Sequence, residues 1–138
     1  MNAELHLRIV GVLMLALVAL NLYVPRRFGW RREMATLSLL NRQIFQVHAM
    51  FISVMLLMFA ALCLMMAKHL LEPTPLAGAV LGGLASFWLL RLAAQWLIYD
   101  WRLWRGQRFN TAMHLLFTVL WLYFTATFTF ALLINLRP

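Results

Sequence analysis

The sequence predicts an all-α integral membrane protein: four transmembrane helices in an up-down-up-down bundle, with both termini non-cytoplasmic. Three observations carry this. Of the 138 residues, 64% are hydrophobic and only 12% are charged, against roughly half and a quarter in a soluble domain. Mean hydropathy is +0.82. The apolar residues fall into four blocks, each near the ~20 residues a helix needs to cross the hydrocarbon layer.

The first block covers residues 7–25, with Pro25 as its expected stop. Arg8 precedes its apolar run from Ile9, as in a signal peptide, but no small-x-small cleavage site follows. The next residues, "VPRRFGWRRE", read as a stop-transfer flank, so the segment is expected to be retained. The second block covers 43–67, with Asn41 as its expected cap. The third covers 75–99 and opens on Thr74-Pro75, an N-cap followed by Pro at the first helical position, where its missing N–H costs nothing. The fourth covers 111–135, with Asn110 as expected cap. Between the first two, "ATLSLL" is expected to lie as a short helix along the membrane surface. Short connections make successive helices antiparallel neighbours. The chain therefore reads as one transmembrane domain, residues 1–138.

Orientation comes from the basic residues. Arg26, Arg27, Arg31, Arg32 and Arg42 lie between the first two blocks, and Arg102, Arg105 and Arg108 between the last two. The other side holds Arg8, Lys68 and Arg137. Basic residues collect in cytoplasmic loops, so both Arg-rich loops are expected in the cytoplasm and both ends outside, as in a bacterial cytoplasmic (inner) membrane. Trp30, Tyr99, Trp101 and Trp104 lie beside these arginines, as an interfacial aromatic belt would.

Composition also excludes function classes. The net charge of +8 is a topology signal in so apolar a chain, and "WRLWRGQR" reads as an anchor for anionic lipid, so no nucleic-acid partner is expected. A single Cys, Cys63, leaves no internal disulfide or Cys-rich metal motif. The nine Met residues are irregularly spaced and read as packing filler. Gly78 and Gly82 have the small-xxx-small spacing that lets helices approach closely. No serine nucleophile motif, paired carboxylates or HExxH is present, so general acid–base work would rest on His48, His114 or Asp100. The balance is against an enzyme.

Polar residues inside a membrane span are costly and usually face the bundle interior. Trp88, Arg91, Gln95 and Tyr99 share one face of the third block, spaced three, four and four apart. Thr111, His114, Thr118, Trp121 and Thr125 form a stripe on the fourth, expected to act as helix–helix glue. His48 lies on the second with Asn41, Phe45 and Ile52. His48, Gln95 and His114 each lie four or five residues in from the Arg-rich end of their block, ~7 Å by helical rise, with Arg91 one turn deeper. These four are the candidate ligand-binding residues of a cytoplasmic-side polar pocket.

Two functional readings follow. In the first, the protein is a small accessory or structural subunit. It packs against itself or a larger membrane complex, and its pocket holds a lipid-like or quinone-like molecule, or none. In the second, His48 and His114 ligate a b-type haem, or a metal, in an electron-transfer protein or membrane oxidoreductase, with Arg91 beside a propionate.

Overall fold

The computed structural model describes residues 2–27, 34–100, 102 and 106–136. Among these, all regular structure is helical. The helices are α1 (Ala3–Arg27), α2 (Leu39–Met65), the short α3 (Ala67–Leu70), α4 (Pro75–Leu97) and α5 (Arg108–Asn135). Four of them, α1, α2, α4 and α5, are long and apolar enough to span a membrane. The chain is thus an integral membrane protein by length and composition of its helices. Trp30, Arg31, Arg32, Trp101, Trp104, Arg105 and Arg137 fall outside the described residues.

The local sequence signals hold at one helix end and fail at three others. Thr74 caps α4 with its hydroxyl, which accepts from the Ala77 N–H at 3.2 Å, and Pro75 follows at the first position. Helix α2 begins earlier than expected: Ser38, not Asn41, is its N-cap, and its hydroxyl accepts from the Asn41 N–H at 3.3 Å. Residues 35–37 form turns and a bend, and Leu39 and Leu40 join α2, so no separate surface helix forms over "ATLSLL". Helix α5 likewise starts before Asn110, with Gln107 as N-cap and the Asn110 amide donating to the Gln107 side chain. Pro25 does not end α1, which runs on to Arg27. So near the C-terminus its missing N–H forfeits one intrahelical bond, and little helix remains to be broken.

The chain divides into two compact units, residues 7–67 and residues 1–6 with 68–138. In the first, buried residues run along one stripe of each helix: Leu7, Val10, Met14 and Leu17 on α1, and Leu56, Ala60 and Cys63 on α2. Their three-and-four spacing is that of a packed helix seam. Gly11 marks a close approach of α1 and α2, since a Cβ there would sit 2.8 Å from Leu64 Cγ and 3.1 Å from the Ala60 carbonyl oxygen.

In the second unit, α4 and α5 pack as an antiparallel hairpin: contacts pair residue 78 with 135, 88 with 121 and 95 with 114. The seam is buried along Ala77, Leu81, Leu84, Trp88 and Gln95 on α4, and along His114, Trp121, Phe124, Phe128, Ala131 and Asn135 on α5. Gly78 and Gly82 face this seam: a Cβ on Gly78 would lie 2.9 Å from Asn135 Oδ1, and one on Gly82 would touch Leu132. The Asn135 amide donates to the Glu72 carbonyl oxygen, which ties the end of α5 to the turn before α4. Gly106 takes the left-handed conformation, φ 79°, in the turn entering α5. Elsewhere the long apolar side chains are exposed, among them Leu90, Leu97 and Ile98, as lipid-facing surfaces require.

Candidate functional site

Three of the four expected site residues meet at the end of the α4–α5 hairpin nearest residues 98–107. Arg91 is half-buried and donates from Nη1 to Gln95 Oε1 at 3.2 Å. Gln95 is buried, and its Nε2 lies 3.0 Å from His114 Nδ1 and 3.4 Å from the His114 carbonyl oxygen. Helical spacing explains the first contact, because residues four apart on α4 are neighbours on one face. The antiparallel register explains the second.

The order of donors and acceptors in this chain is fixed. A guanidinium carries only donors, so the amide must turn its oxygen to Arg91. The amide NH2 then faces His114 Nδ1, which must accept. A neutral imidazole has one N–H, so the His114 proton sits on Nε2. Arg91 thus sets the amide, and the amide sets the tautomer.

Aromatic rings wall the site. The Arg91 Cζ lies 5.0 Å from the Trp121 ring centroid and 6.0 Å from that of Tyr99, within the range of cation–π attraction. Trp88 stacks on Trp121 at 5.0 Å and 19°, and Phe117 is near-parallel to Trp121 at 5.6 Å. Phe124 meets Trp88 edge-on at 4.7 Å, and Trp96 meets His114 edge-on at 4.9 Å. The indole N–H groups of Trp88 and Trp121 are both buried without a hydrogen-bond partner. A buried donor left unmade costs about 1–3 kcal/mol, so stacking here overrides polar satisfaction.

His48 belongs to the unit of residues 7–67. It is exposed, and its Nδ1 lies 2.9 Å from the Ile44 carbonyl oxygen of its own helix. A carbonyl only accepts, so Nδ1 carries a proton, and in the neutral imidazole the lone pair is then on Nε2. His48 and His114 therefore hold opposite tautomers.

The hydroxyls of the α5 threonine stripe donate within their own helix. Thr111, Thr118 and Thr125 each donate to the carbonyl four residues earlier, on Gln107, His114 and Trp121, at 2.8–3.1 Å. Asp100 is turned to the Arg102 N–H at 2.8 Å.

Two further polar pairs lie outside the expected site. His6 Nδ1 lies 2.8 Å from the Tyr123 hydroxyl, 117 positions away. His69 pairs with Glu72 at 2.8 Å on the exposed turn before α4. A lone Tyr amid the Phe, Leu and Ala of α5 was the available signal for the first, and the i, i+3 spacing for the second. No group of three or more metal-ligating side chains occurs among the described residues. No protein family, curated protein or solved structure matches the chain.

Proposed function

We propose that this is a small accessory subunit of a membrane complex, and that it holds a lipid-like or quinone-like amphiphile at the polar end of the α4–α5 hairpin. Arg91, Gln95 and His114 bind the polar part of the ligand. In this reading the four spans run up-down-up-down in a bacterial inner membrane with both termini outside, so the site lies in the cytoplasmic leaflet. The eight-to-three distribution of basic residues between the two sides supports that orientation.

The observation that carries the reading is the ordered chain Arg91–Gln95–His114. Three apolar residues would insert more cheaply. What the polar ones provide is a guanidinium held in a fixed place by a neighbour and two aromatic rings, and such preorganisation suits binding.

Haem ligation by His48 and His114 is the second reading. His48 supports it, because a ligating imidazole donates its other N–H to a carbonyl and offers Nε2. His114 weighs against it, because its proton sits on the nitrogen that would have to ligate. One experiment separates the two. The protein is purified in mild detergent and its intact mass is measured without dissociating bound molecules. A retained amphiphile in a colourless preparation, lost in Arg91→Leu, is expected. A Soret band would favour haem, and a bare mass would overturn the binding reading.

A further inference from the structure

We propose that the molecule held at Arg91 is a phosphate-headed anionic lipid, and that the guanidinium takes its phosphate. The proposal rests on the preceding reading that the hairpin end is a ligand site, and it names the chemistry of that ligand.

Arg91 uses Nη1 on Gln95 Oε1, and its other contacts are the rings of Trp121 and Tyr99. A guanidinium has five N–H donors, and most are left over. Among the described residues, Asp100 is turned to the Arg102 N–H, and Glu72 pairs with His69, far along the hairpin. No described carboxylate pairs with Arg91. Aromatic faces attract a cation but bring no counter-charge. The ligand has to supply one, and a quinone carbonyl does not.

Gln95 one turn on and Tyr99 two turns on both meet the Arg91 guanidinium, which also lies over the Trp121 ring opposite Trp88. Gln95 and Tyr99 lie towards the end of α4 at Leu97, six residues or ~9 Å from the Arg91 Cα. Exposed Trp96 and Tyr99 lie at this level, and interfacial aromatics mark the headgroup boundary. A phosphodiester is the anion that a bilayer presents there, and the guanidinium fork matches it with two parallel hydrogen bonds.

Trp88 and Gln95 flank Arg91 on the side facing α5. On its other side lie Phe87 and Ala94, half-exposed, and Ile98, exposed. That strip is apolar, with a small residue at its centre, and suits an acyl chain running down from a held headgroup.

The test uses the full chain in detergent, offered an equimolar mixture of phosphatidylglycerol, diacylglycerol of the same chains, and a short-chain benzoquinone. Bound species are read by native mass spectrometry. The parent should retain phosphatidylglycerol over the other two by on the order of tenfold, the size expected of one charge-assisted pair. Arg91→Gln can still donate to Gln95 and should fold with unchanged helicity while losing that preference. Arg91→Lys keeps the charge without the fork and should fall between. Retention of the quinone in place of the phospholipid would overturn the phosphate assignment and leave the binding reading standing. A parent that retains nothing would overturn both. Equal retention by Arg91→Gln would make Arg91 an anchor and end the proposal. Inorganic phosphate added at millimolar concentration distinguishes the source: displacement of the phospholipid would assign the site to the free anion and overturn the lipid, and an unmoved adduct supports it.

Discussion

Gln95 joins two helices through one amide: its oxygen accepts from Arg91 and its nitrogen lies 3.0 Å from His114 Nδ1. The geometry requires His114 to be the Nε2–H tautomer. Its ¹⁵N shifts should show an unprotonated Nδ1, while those of His48, bonded to the Ile44 carbonyl, should show the reverse. Gln95→Met leaves the buried His114 Nδ1 without its donor. It should cost about 1–3 kcal/mol in a reversible detergent unfolding titration and release the His114 tautomer. An unchanged His114 spectrum in that variant would break the link.

The stacked indoles make a prediction in the opposite direction. Both Trp88 and Trp121 bury an N–H with no partner. Trp88→Phe removes the orphaned donor and keeps an aromatic ring, so it should hold stability within about 1 kcal/mol or raise it. Trp88→Ala removes the ring against Trp121 and Phe124 and should cost about 2 kcal/mol or more, mostly from lost packing. A large loss in the phenylalanine variant would show that the indole N–H has a bonding role.

Gly11 tests the first unit. An added Cβ would stand 2.8 Å from Leu64 Cγ and 3.1 Å from a backbone oxygen. The backbone cannot yield as a side-chain tip does. Gly11→Ala should therefore destabilise by about 1–3 kcal/mol. Gly83, whose Cβ would meet nothing within 4 Å, is the control, and Gly83→Ala should be neutral or slightly stabilising. Equal effects at the two glycines would remove the close approach of α1 and α2.

Orientation is tested by reporter fusions at Pro138 and within residues 102–108. The Arg bias predicts opposite signals, with the 102–108 loop in the cytoplasm. A cytoplasmic signal from the C-terminus would move the Arg91 site to the other leaflet.

Much of the α4–α5 arrangement was legible because it depends on counting. Gln95 lies a few residues from the end of its span and His114 a few from the start of the next, so an antiparallel turn sets them level. The three-and-four spacing of Trp88, Arg91 and Gln95 placed them on one face for the same reason. Caps were less legible, because Ser38 and Asn41 are equally good acceptors three residues apart and only the backbone path chooses between them. The bond between His6 and Tyr123 was not legible at all. It depends on how distant segments pack, and helical periodicity carries no such information. The threonine bonds were not legible either, because a hydroxyl on a helix has a ready acceptor one turn back. Spacing cannot tell that local bond from one across a seam.

Those local threonine bonds bear on how the protein enters the membrane. Thr118 and Thr125 are satisfied within α5 itself, so α5 carries their hydroxyls into lipid without waiting for a neighbour. Gln95 is different. Its amide nitrogen finds its acceptors on His114, in the helix that is synthesised next. An α4 that left the translocon alone would expose that amide to hydrocarbon, together with the Arg91 guanidinium. The two helices therefore favour insertion as a hairpin, and the pulling force recorded on a nascent chain should rise once α5 has emerged, not when α4 alone is out.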